Sequence, residues 1–276
     1  MKTIENRTYD EERALYGETK IKIKNCSFEG PADGESALKE ASDLEVENCN
    51  FLLRYPLWHV TRAKLTDCSM TSTCRAALWY DNDITIINSE LGGIKALREC
   101  KNISLVSSKV DSTEFGWFCD GIKIEKTTIN SEYPFLKCAN LNFENSELNA
   151  KYSFQYAENV VIRNSVLNTK DAFWHGKNIT VYDSIVKGEY LGWYSDSLRL
   201  VNCEIIGTQP LCYATNLVLE NCTMTDCDLS FEKSDVTATV KGEITSVKNP
   251  KSGMIKAGAI KELIIDDPAC KCEIKA

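Results

Sequence analysis

The sequence predicts an all-β fold: a right-handed parallel β-helix of about 12 coils with a 19-residue period and capped ends. Three observations carry the prediction. The first is a recurring pattern, apolar-x-apolar-x-Asn-Cys/Ser-x-apolar. It runs from IKIKNCSF (21–28), LEVENCNF (44–51) and AKLTDCSM (63–70) to LRLVNCEI (198–205) and LVLENCTM (217–224). Its units begin at Ile21, Leu44, Ala63, Ile84, Ile103, Ile122, Leu141, Val160, Ile179, Leu198 and Leu217, and from Ile84 onward the spacing never slips. The second is the make-up of the columns. Ile23, Val46, Leu65, Ile86 and their equivalents are all apolar, and exposed-type residues such as Lys22, Glu45 and Lys64 alternate with them. Period-2 alternation in β-branched sequence is a strand signal. The third is the fifth position of the motif, filled by Asn25, Asn48, Asp67, Asn88 and mostly Asn or Asp after them. Asn and Asp tolerate left-handed backbone, so a corner belongs there, and stacked Asn amides form a ladder.

So short a period holds one coil of short strands but no helical crossover. Each strand then pairs with its equivalent one coil on, about 4.8 Å away. Right-handed coiling follows the strong preference of parallel connections. Residues 1–20 do not show the motif; the charged stretch from Tyr9 to Tyr16 suits one or two helical turns capping the first coil, where an open sheet edge invites aggregation. Residues 21–235 are the regular coils. VTATVKGEI (236–244) still keeps the beat, and the rest of 236–276 reads as a last coil and a C-terminal cap. The whole, 1–276, reads as one domain. The two longer units place extra residues at 31–36 and near 72–75, and insertions in repeats fall in loops, often on the binding face.

With these motifs the chain resembles the right-handed parallel β-helices of the pectin-lyase-like superfamily. Within it, the chain is similar to a bacterial family known only as a domain of unknown function. The resemblance covers residues 21 to about 245. It implies the fold, and it implies carbohydrate-related binding or processing, since many members of the superfamily are polysaccharide lyases, hydrolases or esterases. Their catalytic patterns do not occur: the sequence has no Gly-His-Gly, no Asn-Thr-Asp and no calcium-type aspartate cluster on neighbouring coils.

Composition narrows the partners. The net charge is -8 and no dense basic run occurs, which argues against nucleic acid and anionic membrane. No stretch reaches membrane-span length, and MKTIENRTYDEERALYG lacks an apolar signal core, so a cytoplasmic location is expected. Of the 13 cysteines, Cys26, Cys49, Cys68, Cys203 and Cys222 occupy a column that Ser or Thr fills elsewhere. Cys100, Cys119 and Cys138 share another small-residue column. They read as small buried residues in a reducing compartment. No phosphate loop and no zinc spacing appears, so no cofactor and no metal is expected.

One departure from the repeat points to function. All five tryptophans, Trp58, Trp79, Trp117, Trp174 and Trp193, fall in one column, which also holds Arg98 and Gln155. The preceding column (Leu57, Leu78, Leu97, Gly116) is apolar or Gly and belongs inside, so period 2 turns the tryptophans outward. The following column adds His59, Tyr80, Glu99, Phe118, Lys137, Tyr156, His175, Tyr194 and Tyr213. Aromatic rings beside polar groups suit sugars, whose C–H faces pack on rings while hydroxyls meet charged partners. The same stripe suits an interface through which a non-catalytic scaffold oligomerises, or plain stacking that stabilises the solenoid. The substrate-binding candidates are Trp58, His59, Arg75, Trp79, Arg98 and Trp117. Arg54 and Asp81 complete the same cluster. Glu99 and Asp120, on successive coils, are the candidate catalytic pair, since an approach between them would raise one carboxyl's pKa. His59 and His175 lie six coils apart, roughly 29 Å, and cannot serve one site.

Overall fold

The computed structural model describes residues 1–30 and 35–276, so most of the predicted 31–36 insertion lies outside the described residues. The chain divides into two compact units, Met1–Leu141 and Asn142–Ala276. Each is a stack of parallel strands, and the chain makes about 14 turns of β-solenoid without a helix among the described residues.

In the first unit the long strands Thr19–Lys24, Ser42–Glu47, Thr61–Thr66, Asn82–Ile87, Lys101–Val106 and Asp120–Glu125 pair in order. The register matches the sequence columns: Ile23 faces Val46, Val46 faces Leu65, and Leu65 faces Ile86. These residues form the interior, where Ile23, Val46, Leu65 and Ile86 are buried. After the corner a second run follows, including Asn50–Phe51, Ser69–Met70, Glu90–Gly92 and Lys109–Asp111. A third run, Leu57–Trp58, Leu78–Trp79, Leu97–Arg98 and Phe115–Trp117, makes a separate four-stranded parallel sheet. In the second unit the long strands run from Glu158–Arg163 through Lys177–Tyr182, Asp196–Val201 and Leu217–Thr225 to Asp235–Lys241.

The corners are left-handed as expected, with φ of 50° at Asn25, 51° at Asn48 and 54° at Asn202. Their amides form the ladder: Asn48 Nδ2 donates to Asn25 Oδ1 at 2.8 Å, and Asn221 Nδ2 to Asn202 Oδ1 at 2.7 Å. The small residue after the corner has a sharper role than filling an inward bend. Its side chain accepts the backbone N–H of the equivalent residue one coil earlier and donates to the carbonyl two positions before it. Ser89 Oγ accepts from Cys68 N at 3.0 Å and donates to Ile87 O at 2.8 Å. Cys49 Sγ does the same with Cys26 N at 3.4 Å and Glu47 O at 3.3 Å. Cysteine therefore works here as a weak hydroxyl substitute. Burial pushes the Cys49 thiol up to about 12, so it is an inert thiol at neutral pH.

The count of about 14 turns corrects the expected 12, and the extra turns are at the ends. The N-terminal stretch makes no helix. Lys2–Glu5 pairs with Thr19–Lys24, and Thr8–Tyr9 pairs with Ser27–Phe28. Asn6 makes a left-handed corner one coil before Asn25, whose Nδ2 donates to Asn6 Oδ1 at 3.2 Å. Tyr9 stacks on Phe28 at 5.2 Å and Phe28 on Phe51 at 4.9 Å, which extends the core into the first coil. At the other end Ser252–Lys256 and Glu273–Lys275 continue the ladder without the Asn motif.

Candidate functional site

The outer aromatic column sits on a second corner. His59, Tyr80, Glu99 and Phe118 all have φ between 53° and 58°. Left-handed backbone costs a non-glycine residue about 1–2 kcal/mol, so large side chains here need a compensating contact. Stacking supplies it: His59 lies on Tyr80 at 5.1 Å, and Trp58 on Trp79 at 5.6 Å with an 11° interplanar angle. The inner neighbours Leu57, Leu78 and Leu97 are buried, the tryptophans are half-buried, and Tyr80 and Phe118 are 40% and 41% exposed.

In the first unit the ladder of rings is interrupted. Arg98 stands where a tryptophan would, and Glu99 where a ring would. Arg98 Nε donates to Glu99 Oε1 at 3.0 Å, and its guanidinium carbon lies 5.7 Å from the Trp117 ring and 5.6 Å from the Phe118 ring. Below the break, Lys39 puts its Nζ 3.9 Å from the Trp58 ring centroid. The Trp58–Trp79 pair is thus bracketed by Lys39 and Arg98 of the same column.

The Glu99 carboxylate feels burial, which pushes its pKa up. Arg98, Tyr80 and Trp79 together outweigh that effect and hold it below the usual range. The Tyr80 hydroxyl and Trp79 N–H approach this carboxylate, but only Arg98 reaches full hydrogen-bond geometry. Glu99 is therefore a standing carboxylate and not the proton donor that an approach to Asp120 would produce. Asp120 belongs to the next strand, in register with Lys101, and accepts from Asn140 Nδ2 at 2.6 Å. Arg75 is exposed and pairs through its backbone with Ile94.

The carboxyl with the raised pKa on this side is Asp81. It is 1% exposed, directly follows Tyr80, and occupies the column of Cys100 and Cys119. Burial holds its carboxyl well above the usual range, Cys100 adds to the shift, and the Val60 N–H only partly opposes it. Oδ1 accepts the Val60 N–H at 2.7 Å, just as a Ser or Cys side chain does on other coils, while Oδ2 has no partner.

Unsatisfied groups concentrate here. Among the described residues, four buried side-chain polar atoms lack a hydrogen bond: Trp58 Nε1, Trp79 Nε1, Asp81 Oδ2 and Glu114 Oε2. Glu114 Oε2 has only long ion pairs, at 3.6 Å to Lys95 Nζ and 4.0 Å to Arg98 Nη1. The other three tryptophans are satisfied by a backbone carbonyl on the next coil. Trp117 donates to Tyr133 at 2.5 Å, Trp174 to Tyr190 at 2.7 Å and Trp193 to Gln209 at 2.7 Å. The difference follows from the backbone. Leu57, Leu78 and Leu97 lie in paired strands, whereas Gly116, Phe135, Phe154, Phe173, Gly192 and Leu211 in the same column have φ between 56° and 72°. Gly116 marks the changeover as a bulge, with Leu97 facing Phe115 and Arg98 facing Trp117.

The structure thus brings Trp58, His59, Trp79, Arg98, Glu99 and Trp117 into one cluster with Tyr80 and Phe118. Lys39, Tyr55 and Glu114 escaped the sequence reading. Lys39 stands one period before Trp58, so its column was available; Tyr55 and Glu114 share the offset of three before the tryptophan column. Two cavities among the described residues are lined by other columns of the coils. One of about 540 Å³ is lined by residues such as Thr71, Glu90, Gly93, Lys109 and Asp111. Another, of about 630 Å³, is lined in the second unit by residues such as Asn149, Asn168, Lys170, Lys187 and Glu189. No helix among the described residues is long and apolar enough to cross a membrane.

Similar solved structures include the A-module of the Azotobacter vinelandii mannuronan C-5 epimerase AlgE4. It shares 10% identity at a TM-score of 0.38, with 86% of this chain and 88% of that chain covered. Tailspike protein 3 of bacteriophage CBA120 is similar at 9% identity and a TM-score of 0.35, over 100% of this chain and 55% of that one. PfbA, a surface adhesin of Streptococcus pneumoniae, shares 9% identity at a TM-score of 0.31, over 86% and 72%. At such low identities and TM-scores these likenesses carry nothing about activity. A search of curated proteins found no match. The family model described as protein of unknown function (DUF3737) matches residues 2–275, and the chain belongs to that family.

Proposed function

We propose that the chain binds a carbohydrate on the aromatic face of its first unit, at the break in the ring ladder around Arg98 and Glu99. The observation that carries the reading is the break itself. Rings stack from coil to coil as far as Trp79 and Tyr80, the next coil carries the Arg98–Glu99 ion pair, and Trp117 and Phe118 follow, edge to face with each other. Ring faces that end at a polar gap suit a pyranose, whose C–H face packs on Tyr80 while its hydroxyls donate to Glu99 and accept from Arg98. In any processing reaction Glu99 acts as a base or charge stabiliser, and Asp120 is the second candidate carboxylate. His59, stacked on Tyr80, and the exposed Arg75 border the same face.

A second reading, self-association of a non-catalytic scaffold, is favoured by Tyr156 and Tyr194 of the second unit, which are 50% and 46% exposed. One experiment separates the two. Tryptophan fluorescence of the purified chain is followed against acidic and neutral oligosaccharides, with the molecular mass measured alongside. A saturable shift with one sugar class, lost in Trp79→Ala, supports the binding site. Silence toward every sugar, together with an oligomer that dissociates in Tyr194→Ala, replaces it with the scaffold.

A further inference from the structure

Resting on the carbohydrate reading, we propose that the indole N–H groups of Trp58 and Trp79 together receive the carbonyl of an acetamido group, so that the sugar taken by this face is N-acetylated. The two tryptophans are register partners, stacked at 5.6 Å and 11°. Their N–H groups belong to one column a single coil apart, about 4.8 Å along the solenoid. A carbonyl oxygen has two lone pairs and accepts from both.

Both N–H groups are buried and neither completes a hydrogen bond, the Trp79 N–H only approaching the Glu99 carboxylate. A buried donor left unpaired is costly and calls for an acceptor. The repeat itself indicates which acceptor fits. At Trp117, Trp174 and Trp193 the same group is satisfied by a peptide carbonyl. Even Gln155, which replaces tryptophan in the column, turns its Nε2 to the Asp171 carbonyl at 3.5 Å. An acetamide presents that same oxygen.

The walls favour an acceptor that carries no proton of its own. The Tyr55 ring packs on both indoles, at 5.6 Å from Trp58 and 6.1 Å from Trp79. An amide carbonyl brings only an acceptor, with no O–H to place among these rings, and its methyl suits the apolar surround. A second carboxylate would meet the Glu99 charge already close to the Trp79 N–H.

The test is calorimetric titration of the full chain with trisaccharides of gluco and galacto configuration, each as the N-acetylated sugar and as its 2-hydroxyl parent. The expected result is a preference of about tenfold or more for one N-acetylated sugar over its parent. In the double variant Trp58→Phe, Trp79→Phe, the ring stack stays and the donors go. There the preference falls to near unity, whatever the affinity for the parent sugar becomes. Equal affinity for both sugars in the natural chain overturns the acetamide subsite and leaves the carbohydrate reading standing. A preference that survives both phenylalanines overturns the role of the indole pair. No binding of any of the four by a folded chain overturns the acetamide subsite, and silence toward acidic oligosaccharides as well overturns the carbohydrate reading.

Discussion

In the second unit Tyr156, His175, Tyr194 and Tyr213 stack in one unbroken run, at 4.8, 5.1 and 4.9 Å. Beside them Trp174 and Trp193 stack at 5.5 Å, and each hands its N–H to a carbonyl. In the first unit the same two columns give short runs divided by Arg98 and Glu99, with two tryptophan N–H groups unpaired. The period, the corner and the ring column are common to both. What differs is a handful of residues: Arg98, Glu99 and Asp81, and the extended backbone at Leu57, Leu78 and Leu97. The repeat is able to saturate its own aromatic face, and the second unit shows it doing so. Departures that leave polar groups unsatisfied are therefore specified by the first unit's sequence, and unsatisfied or strained positions in natural chains cluster at functional sites.

The changeover between the two geometries rests on Gly116, with φ of 72°. A Cβ there would meet the Phe135 ring at 2.6 Å. Phe135 is fully buried and has no room to yield. Gly116→Ala is expected to lower unfolding free energy by about 2–4 kcal/mol, from left-handed strain plus overpacking. Denaturant unfolding measures it, and a loss below about 0.5 kcal/mol would contradict so tight a changeover.

Asp81 is the next largest. Its folded pKa is raised above the unfolded value, so its contribution to stability is full below the unfolded pKa and is lost as pH rises through the folded one. Asp81→Asn keeps the acceptor for the Val60 N–H and cannot ionise. It is expected to be more stable than the natural chain by about 1 kcal/mol or more at pH 7, where folding of the natural chain must take up a proton on Asp81. That advantage should vanish near pH 3. A natural chain that unfolds with the same pH dependence as the variant would show that Asp81 is not held neutral.

How much of this was legible in the sequence depends on whether one column or several decide the matter. Register, the interior and the corners each follow from one column at a time, and the structure has them at the expected residues. The end coils were hidden because Asn6 has no apolar motif of full length around it, and the last strands have no corner Asn. The state of Asp81 needs its depth and its place in the Ser/Cys ladder together. Glu99 was read against Asp120 because they lie on successive coils, but the neighbours that set its charge are Arg98 and Tyr80. The unpaired indoles depend on a backbone change at Gly116, which no periodicity shows.

The two tryptophan environments allow a direct contrast of about 1 kcal/mol. Phenylalanine at either position keeps a ring and loses similar area. Trp174→Phe also breaks a hydrogen bond and strands the Tyr190 carbonyl, whereas Trp58→Phe removes a donor that had no partner. Trp174→Phe should thus destabilise by about 1 kcal/mol more than Trp58→Phe. Equal losses in thermal unfolding would mean that the Trp58 N–H is satisfied in solution.

The smallest expected change in stability has the largest consequence for function. Arg98→Trp restores the missing rung of the tryptophan column between Trp79 and Trp117. A ring there gains about 0.5–1.5 kcal/mol of stacking and gives up the half-exposed pair with Glu99, which is worth at most about 1 kcal/mol. The net change lies between about −0.5 and 1.5 kcal/mol, centred on a small gain. The gap between the Tyr80 and Phe118 coils closes at the same time, so sugar binding should disappear while the fold is kept. A variant that is destabilised and still binds would mean that the break in the ladder is not where the ligand sits. A stabilised, silent variant would show that the first unit gives up a rung of its own architecture to keep a site open.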